Sequence, residues 1–169
     1  MDLSSFILLL QLVVFIHILY LIFYNDINPY IQENFFIKSD PVCDDPKLHS
    51  LKEKLKPMFA DDIIYDGALK NINKKRVLHD LSLCKGDKSF TINKEDIFLC
   101  LRDENGKYYN DNMLIYVLLH EVAHHLTSSI GHTQEFHEKF DILLKKAIDM
   151  NIYDPSIPTV KNYCNYKKN

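Results

Sequence analysis

The residues with the clearest chemical potential form the segment His120-Glu121-Val122-Ala123-His124. Side chains four residues apart on an α-helix lie about 40° apart around its axis, so both imidazoles can reach one metal ion. Glu121 follows the first histidine, where its carboxylate can accept a proton from a water molecule that the metal activates. Zinc takes neutral imidazole ligands readily and lowers the pKa of its water toward ~7. The segment therefore predicts a hydrolytic zinc site with Glu121 as general base.

A third protein ligand is required, because catalytic zinc sites use three such ligands and leave the fourth position for water. His132 is the leading candidate, since Gly131 allows the chain to reverse after the first helix and to return His132 to the metal. The alternatives that spacing leaves open are His137, Glu135, Glu138 and Asp141. His125 points about 100° away from His124, which favours a surface or supporting position.

Two amphipathic helices are predicted to carry these residues. Residues 110–112, Asn-Asp-Asn, are N-cap candidates for the first helix, which ends near residues 128–131. A second helix begins near Thr133 and continues to about Met150. The apolar residues at helical spacing are Met113, Leu114, Val117, Leu118, Val122 and Leu126 in the first helix, and Phe136, Phe140, Leu143, Leu144 and Ala147 in the second.

A short helix and a small sheet are predicted ahead of the histidine segment. Leucines at three- and four-residue steps after Pro46 indicate the helix. The extended runs are residues 63–65, 89–92 and 97–102. The last run enters a turn that returns at Tyr108 and Tyr109. The order of helix, strands, helix and helix predicts an α+β domain.

The N-terminal residues 6–23 form an uncharged, apolar run. As a helix this run would span roughly 27 Å, close to the ~30 Å hydrocarbon core of a bilayer. A cleaved signal peptide would need a small-residue cleavage site, which the following residues do not offer. We therefore predict a single-pass transmembrane anchor over residues 1–24, a stalk over 25–44 and the catalytic domain over 45–169, with the lipid bilayer as a partner. The positive-inside rule gives no orientation, because the first basic residue is Lys38.

Charge and cysteine content set limits on partners and on other metal sites. With 20 Lys and Arg against 23 Asp and Glu, the chain has a formal charge of -3, so we expect no nucleic-acid partner. The cysteines lack metal-ligand spacing, and they could form two disulfides in any of three connectivities. They are Cys43, Cys84, Cys100 and Cys164.

Residues 97–150 resemble the WLM group of zinc metallopeptidases, which is related to SprT-type proteases and belongs to the zincin-like superfamily. The likeness rests on the strand IFLCLR, the turn DENGKYY, the helix NMLIYVLLHEVAHHL, and GHTQEF with its following helix. The resemblance implies a zincin-like domain that holds zinc with His120, His124 and His132 and uses Glu121 as catalytic base. It also implies a peptide substrate lying along the strand IFLCLR.

The leading hypothesis is a membrane-anchored zinc metallopeptidase that hydrolyses peptide bonds with metal-activated water. An extended peptide would add to the sheet edge through main-chain hydrogen bonds. Tyr108, Tyr109 or Tyr153 could stabilise the oxyanion, and the sequence does not select among them. The alternatives are a membrane-anchored interaction protein with a non-catalytic zinc site, and a zinc hydrolase that acts on another bond. Glu121 favours an enzyme, because a purely structural zinc site needs no base.

Overall fold

A computed structural model describes residues 11, 13–17, 20 and 42–164 of the chain. The chain divides into two units, Met1–Asp40 and Pro41–Asn169. The described residues of the first unit are helical. The elements described in the second unit are, in order, α1 (Pro46–Leu55), two 3₁₀ helices (Lys56–Phe59 and Gly67–Leu69), α2 (Lys74–Asp80), β1 (Ser82–Lys85), β2 (Phe90–Ile92), β3 (Asp96–Leu99), α3 (Asp111–Leu126) and α4 (Gln134–Asp149).

The prediction of a transmembrane helix is wrong for the part of the chain that the structure describes. Within the described part of the chain, no helix is long and apolar enough to cross a membrane. A spanning helix needs about 20 predominantly apolar residues. Helices α3 and α4 have 16 residues each, and both contain charged side chains. Most of the predicted anchor, residues 6–23, lies outside the described residues.

The second unit has the predicted α+β composition, with a small sheet, a helix that carries the histidine segment and a packing helix after it. Helix α1 begins as predicted: the Asp45 side chain accepts a hydrogen bond from the backbone N–H of Lys47 at 2.8 Å, and Pro46 occupies the first turn. The predicted extended run at residues 63–65 is wrong, because these residues form no strand. Neither α2 nor β1 was predicted.

The sheet has the strand order β1-β3-β2, with β1 parallel and β2 antiparallel to β3. Strands β2 and β3 form a hairpin with a three-residue loop, residues 93–95, in which Asn93 and Lys94 have positive φ and the N–H of Glu95 donates to the carbonyl of Ile92 at 3.0 Å. The strand beginning at Ile97, along which a peptide was expected to add to the sheet edge, is not an edge strand, since β3 is paired on both sides. Among the described strands, β1 and β2 lie at the two edges of the sheet.

Helix α3 packs against β2 and β3, and α4 packs beside α3. The apolar stripes predicted for both helices are confirmed as core, although Leu126 and Leu144 are only partly buried. The fully buried side chains of these helices that match the prediction are Leu114, Leu118, Val122, Phe136, Leu143 and Ala147. Because each large apolar side chain contributes about 1.5–3 kcal/mol when fully buried, this packing holds α3 firmly against the sheet.

Two disulfides select one of the three possible connectivities, Cys43–Cys84 and Cys100–Cys164. The second joins the residue after β3 to the C-terminal segment. Tyr163 strengthens this attachment, because its hydroxyl donates to the carbonyl of Cys100 and its ring lies 4.8 Å from that of Tyr109, measured between centroids. The C-terminal segment is therefore fixed beside the sheet.

Removing the Cys100–Cys164 disulfide should lower the free energy of unfolding by about 4 kcal/mol, because the bond closes a loop with a sequence separation of 64. The paired substitution Cys100→Ser and Cys164→Ser leaves no unpaired thiol behind. Urea unfolding of the two proteins in oxidising buffer measures the difference. Equal unfolding midpoints would contradict this prediction.

Candidate metal centre

Helix α3 supplies two of the three predicted metal ligands. The Asn110 side chain caps this helix by accepting a hydrogen bond from the backbone N–H of Met113 at 2.8 Å. His120 and His124 project from the same side of the helix, with ring centroids 5.0 Å apart. Both are half-buried, so a rigid and well-packed element holds these two imidazoles at the protein surface.

The loop between α3 and α4 brings His132 to the same place. Gly131 has φ +82°, a left-handed conformation that allows the chain to reverse, and Thr133 caps the start of α4. The Nε2 atom of His132 lies 3.0 Å from Nε2 of His120 and 3.3 Å from Nε2 of His124. The structure thus groups the three histidines at the reversal that the sequence predicted.

The spacing of the three imidazoles fits a single metal ion, since one ligand atom from each histidine lies within 4.8 Å of the other two. Nitrogens bound to one tetrahedral zinc at about 2.0–2.1 Å are about 3.3 Å from one another. Burial, and then the neighbouring histidines, lower the pKa of His120 to about 4. Burial, and then His132 and Lys94, lower the pKa of His124 to about 4. Both imidazoles are therefore neutral at pH 7, the form that binds a metal.

The aromatic ring of Phe136 packs beneath the rings of the three histidines. Its ring centroid lies 4.3 Å from that of His124, 4.7 Å from that of His132 and 4.8 Å from that of His120. The side chain is 1% exposed, so the surrounding core holds it in place. The sequence indicated only that Phe136 belongs to the buried stripe of the second helix, and its role beneath the histidines was missed.

Glu135 holds the loop that carries His132. Its carboxylate accepts hydrogen bonds from the backbone N–H and hydroxyl of Ser128 at 3.1 and 3.0 Å, and from the hydroxyl of Ser129 at 3.1 Å. The ammonium group of Lys139 donates to it at 2.6 Å. This hydrogen bond, followed by those from Ser128, holds the pKa of the Glu135 carboxyl well below its usual range.

The other alternative ligands lie outside the histidine group that the described residues form. Glu138 is exposed and accepts a hydrogen bond from Gln134 at 3.0 Å. His137 is exposed, with its ring centroid 6.4 Å from that of His132. Asp141 is exposed as well. The geometry therefore favours His132 over these candidates as the third ligand.

Glu135→Ala should weaken zinc binding by ~10-fold or more, because residues that support metal ligands typically contribute 10- to 100-fold to metal affinity. Loss of the carboxylate would free the loop at residues 128–129, so that His132 is held less firmly. Competition with a chromophoric chelator measures the affinity. Glu138→Ala makes the same change on the exposed face of the same helix and should have no effect. Equal affinities in the two variants would refute a supporting role for Glu135.

Glu121 is 5% exposed and lies against strand β2. The hydroxyl of Thr91, in that strand, donates to Oε2 of Glu121 at 2.8 Å. His125 lies further along the same helix, and its Nδ1 contacts the backbone carbonyl of Lys94 in the hairpin turn. His125 therefore takes the supporting position that its direction predicted.

The three tyrosines considered for the oxyanion lie in different surroundings. The Tyr108 hydroxyl faces the carboxylate of Asp45 at 3.3 Å, and the Tyr109 hydroxyl accepts from the N–H of Cys164 at 3.1 Å. Tyr153 packs against Tyr116, with ring centroids 5.7 Å apart. Burial raises the pKa of Tyr153, so its hydroxyl keeps its proton at neutral pH. The assignment of an oxyanion-stabilising residue stays a prediction.

The chain is similar to three viral proteins that are described as uncharacterized. It is 41% identical over 122 residues to protein 136R of Invertebrate iridescent virus 6, a match that covers 68% of each chain. It is 43% identical over 99 residues to protein 042R of Invertebrate iridescent virus 3, covering 58% of this chain and 62% of that protein. A protein of Acanthamoeba polyphaga mimivirus is 43% identical over 67 residues, which cover 38% of this chain and 34% of that protein. No family model matches the chain, and no solved structure matches it significantly.

Proposed function

We propose that this chain, which belongs to the same family as protein 136R of Invertebrate iridescent virus 6, is a zinc-dependent metallopeptidase related to the WLM and SprT-type enzymes. The observation that carries the proposal is the grouping of three imidazoles at distances suited to one zinc ion, with a buried glutamate next to the first of them. A zinc ion with three protein ligands keeps a fourth position open for water, as catalytic sites require.

In the proposed reaction, the zinc ion, its three histidine ligands and Glu121 have separate roles. Bound zinc would supply the Lewis acidity that polarises a scissile carbonyl and acidifies water. His120, His124 and His132 would hold the ion through neutral imidazole nitrogens. Glu121 would accept a proton from the attacking water at its carboxylate and later pass it to the leaving amine.

An extended peptide is the substrate that best fits the sheet. Strands β1 and β2 are the two edge strands among those described, and Thr91 of β2 contacts Glu121, so the β2 edge runs beside the proposed base. An extended chain can pair with such an edge through main-chain hydrogen bonds. The proposal therefore places the substrate along β2 and not along the strand IFLCLR, whose first half is central in the sheet. His132 is exposed, which leaves the site open to a polymer chain.

A non-catalytic zinc site is supported less well. Structural zinc is almost always held by four protein ligands. Only three ligands group together among the described residues, and all four cysteines are disulfide-bonded. Glu121 is buried next to the first ligand, and a structural zinc site has no need of a base there. These features favour a hydrolase.

The test is metal analysis together with cleavage of a peptide library by the full-length chain, purified without chelators. We expect about one zinc per chain, as a three-imidazole site predicts, and cleavage of extended peptides that a chelator abolishes. A protein without any transition metal would refute the zinc site. A protein that binds zinc and cleaves no peptide would instead support the interaction-protein hypothesis or a hydrolase that acts on another bond.

A further inference from the structure

We propose that Thr91 is a positioning residue for Glu121, holding its carboxylate in the orientation that proton transfer requires. The inference rests on the proposed function, because it assigns a role within the same reaction. This role could not be predicted from the sequence, since Thr91 and Glu121 are separated by 30 residues. Their contact exists only because α3 packs across the edge of the sheet.

The geometry identifies the hydrogen bond. The Oγ1 atom of Thr91 lies 2.8 Å from Oε2 of Glu121 and 3.2 Å from the backbone carbonyl oxygen of the same residue. A hydroxyl has one hydrogen to donate, so the shorter contact, to the carboxylate, is the stronger of the two. Neighbouring side chains in a strand point to opposite faces, and Phe90 stacks on Phe98 with ring centroids 4.9 Å apart. Thr91 is therefore the β2 residue that faces the helix.

A second attachment fixes the hairpin to the same helix. The backbone carbonyl of Lys94 accepts a hydrogen bond from His125, one helical turn beyond Glu121. The ammonium group of Lys94 donates to the carbonyls of Thr127 and Ser128, where α3 ends. These bonds prevent the β2–β3 hairpin from sliding along α3. The Thr91 hydroxyl consequently has a fixed position from which to orient a carboxylate.

The orientation of the carboxylate matters because a general base must lie within hydrogen-bond reach of the proton that it takes. A hydrogen bond to an ionised group is stronger than one between neutral groups, so the Thr91 hydroxyl favours one placement of Oε2. Holding Oε2 in one position also sets the position of the second carboxylate oxygen of Glu121. Loss of the hydroxyl would leave Glu121 in place on the helix and allow its carboxylate to turn.

The kinetic experiment compares Thr91→Val, which keeps the side-chain shape, with Thr91→Ser, which keeps the hydroxyl. Thr91→Val should lower kcat by ~10-fold or more with KM nearly unchanged, since a small misplacement of a catalytic group costs up to ~100-fold. Its zinc content should equal that of the wild type. Thr91→Ser should retain most of the activity. The exposed Thr159, changed to Val, is the matched control and should behave as the wild type.

A second measurement needs no activity. Thermal unfolding of the zinc-free protein is compared for Thr91→Val, Glu121→Ala and the double variant. Thr91→Val should lower the unfolding midpoint more in the wild-type background than in the Glu121→Ala background, because only the former contains the hydrogen bond. Additive shifts would overturn the inference, as would a wild-type kcat in Thr91→Val or a loss in Thr91→Ser equal to that in Thr91→Val.

The two proposals fail in different ways. A zinc-loaded wild type that cleaves no peptide overturns the proposed function and the role of Thr91 with it. An active wild type whose Thr91→Val variant is equally active overturns the role of Thr91 alone.

Discussion

Glu121→Gln should lower kcat by ~10² or more while zinc content and thermal stability stay close to those of the wild type. Glutamine has the size of glutamate, and its amide oxygen can still accept the hydrogen bond from Thr91. It cannot accept a proton from water, so the reaction loses its base without losing its metal. Peptide cleavage, elemental analysis and circular dichroism on the same preparation separate these effects.

Glu138→Gln is the matched control for this substitution. Glu138 is exposed on α4, and its carboxylate contacts Gln134, so the same chemical change there should leave turnover unchanged. If Glu121→Gln remains fully active while the wild type is an active zinc enzyme, the general base lies elsewhere. If both substitutions reduce activity equally, a general effect of charge would explain the loss better than the removal of a base.

His132→Ala should weaken zinc binding by more than ~10²-fold, because removing a residue that merely supports a ligand already costs 10- to 100-fold. His132 is exposed, so its removal should not disturb the core or the unfolding midpoint of the zinc-free protein. The two remaining imidazoles would hold an ion from one side only. Chelator competition and elemental analysis measure the loss, and peptide cleavage should fall with it.

His137→Ala provides the comparison, since His137 is also exposed and lies five residues further along the chain. The structure places it outside the group of three imidazoles, so zinc affinity should be unchanged. Zinc loss in His137→Ala together with zinc retention in His132→Ala would mean that the chain reversal at Gly131 delivers a different ligand.

Features that depend only on neighbouring residues could be predicted from the sequence. The periodicity of an α-helix places His120 and His124 on one side of α3, and the core stripes of α3 and α4 follow from the same periodicity. The cap at Asn110 was among the three predicted candidates, and the start of α4 near Thr133 was predicted as well, because a cap satisfies the N–H groups of its own first turn. Gly131 indicated the reversal that made His132 the leading third ligand.

Contacts between distant segments depend on how the whole chain folds. Hydrophobic patterning indicates that a strand is buried but does not identify the strands that pair with it. The central place of β3 and the edge position of β2 could therefore not be deduced. The disulfide pairing depended on the same arrangement, since cysteine spacing allows three connectivities.

The support of the candidate site also belongs to the tertiary level. Phe136 lies beneath the histidines and Glu135 holds their loop because α4 packs beside α3. Thr91 reaches Glu121 because the sheet lies across the same helix. Local periodicity fixes the direction of a side chain on its own helix, whereas its partners depend on how the apolar faces of separate elements are buried together.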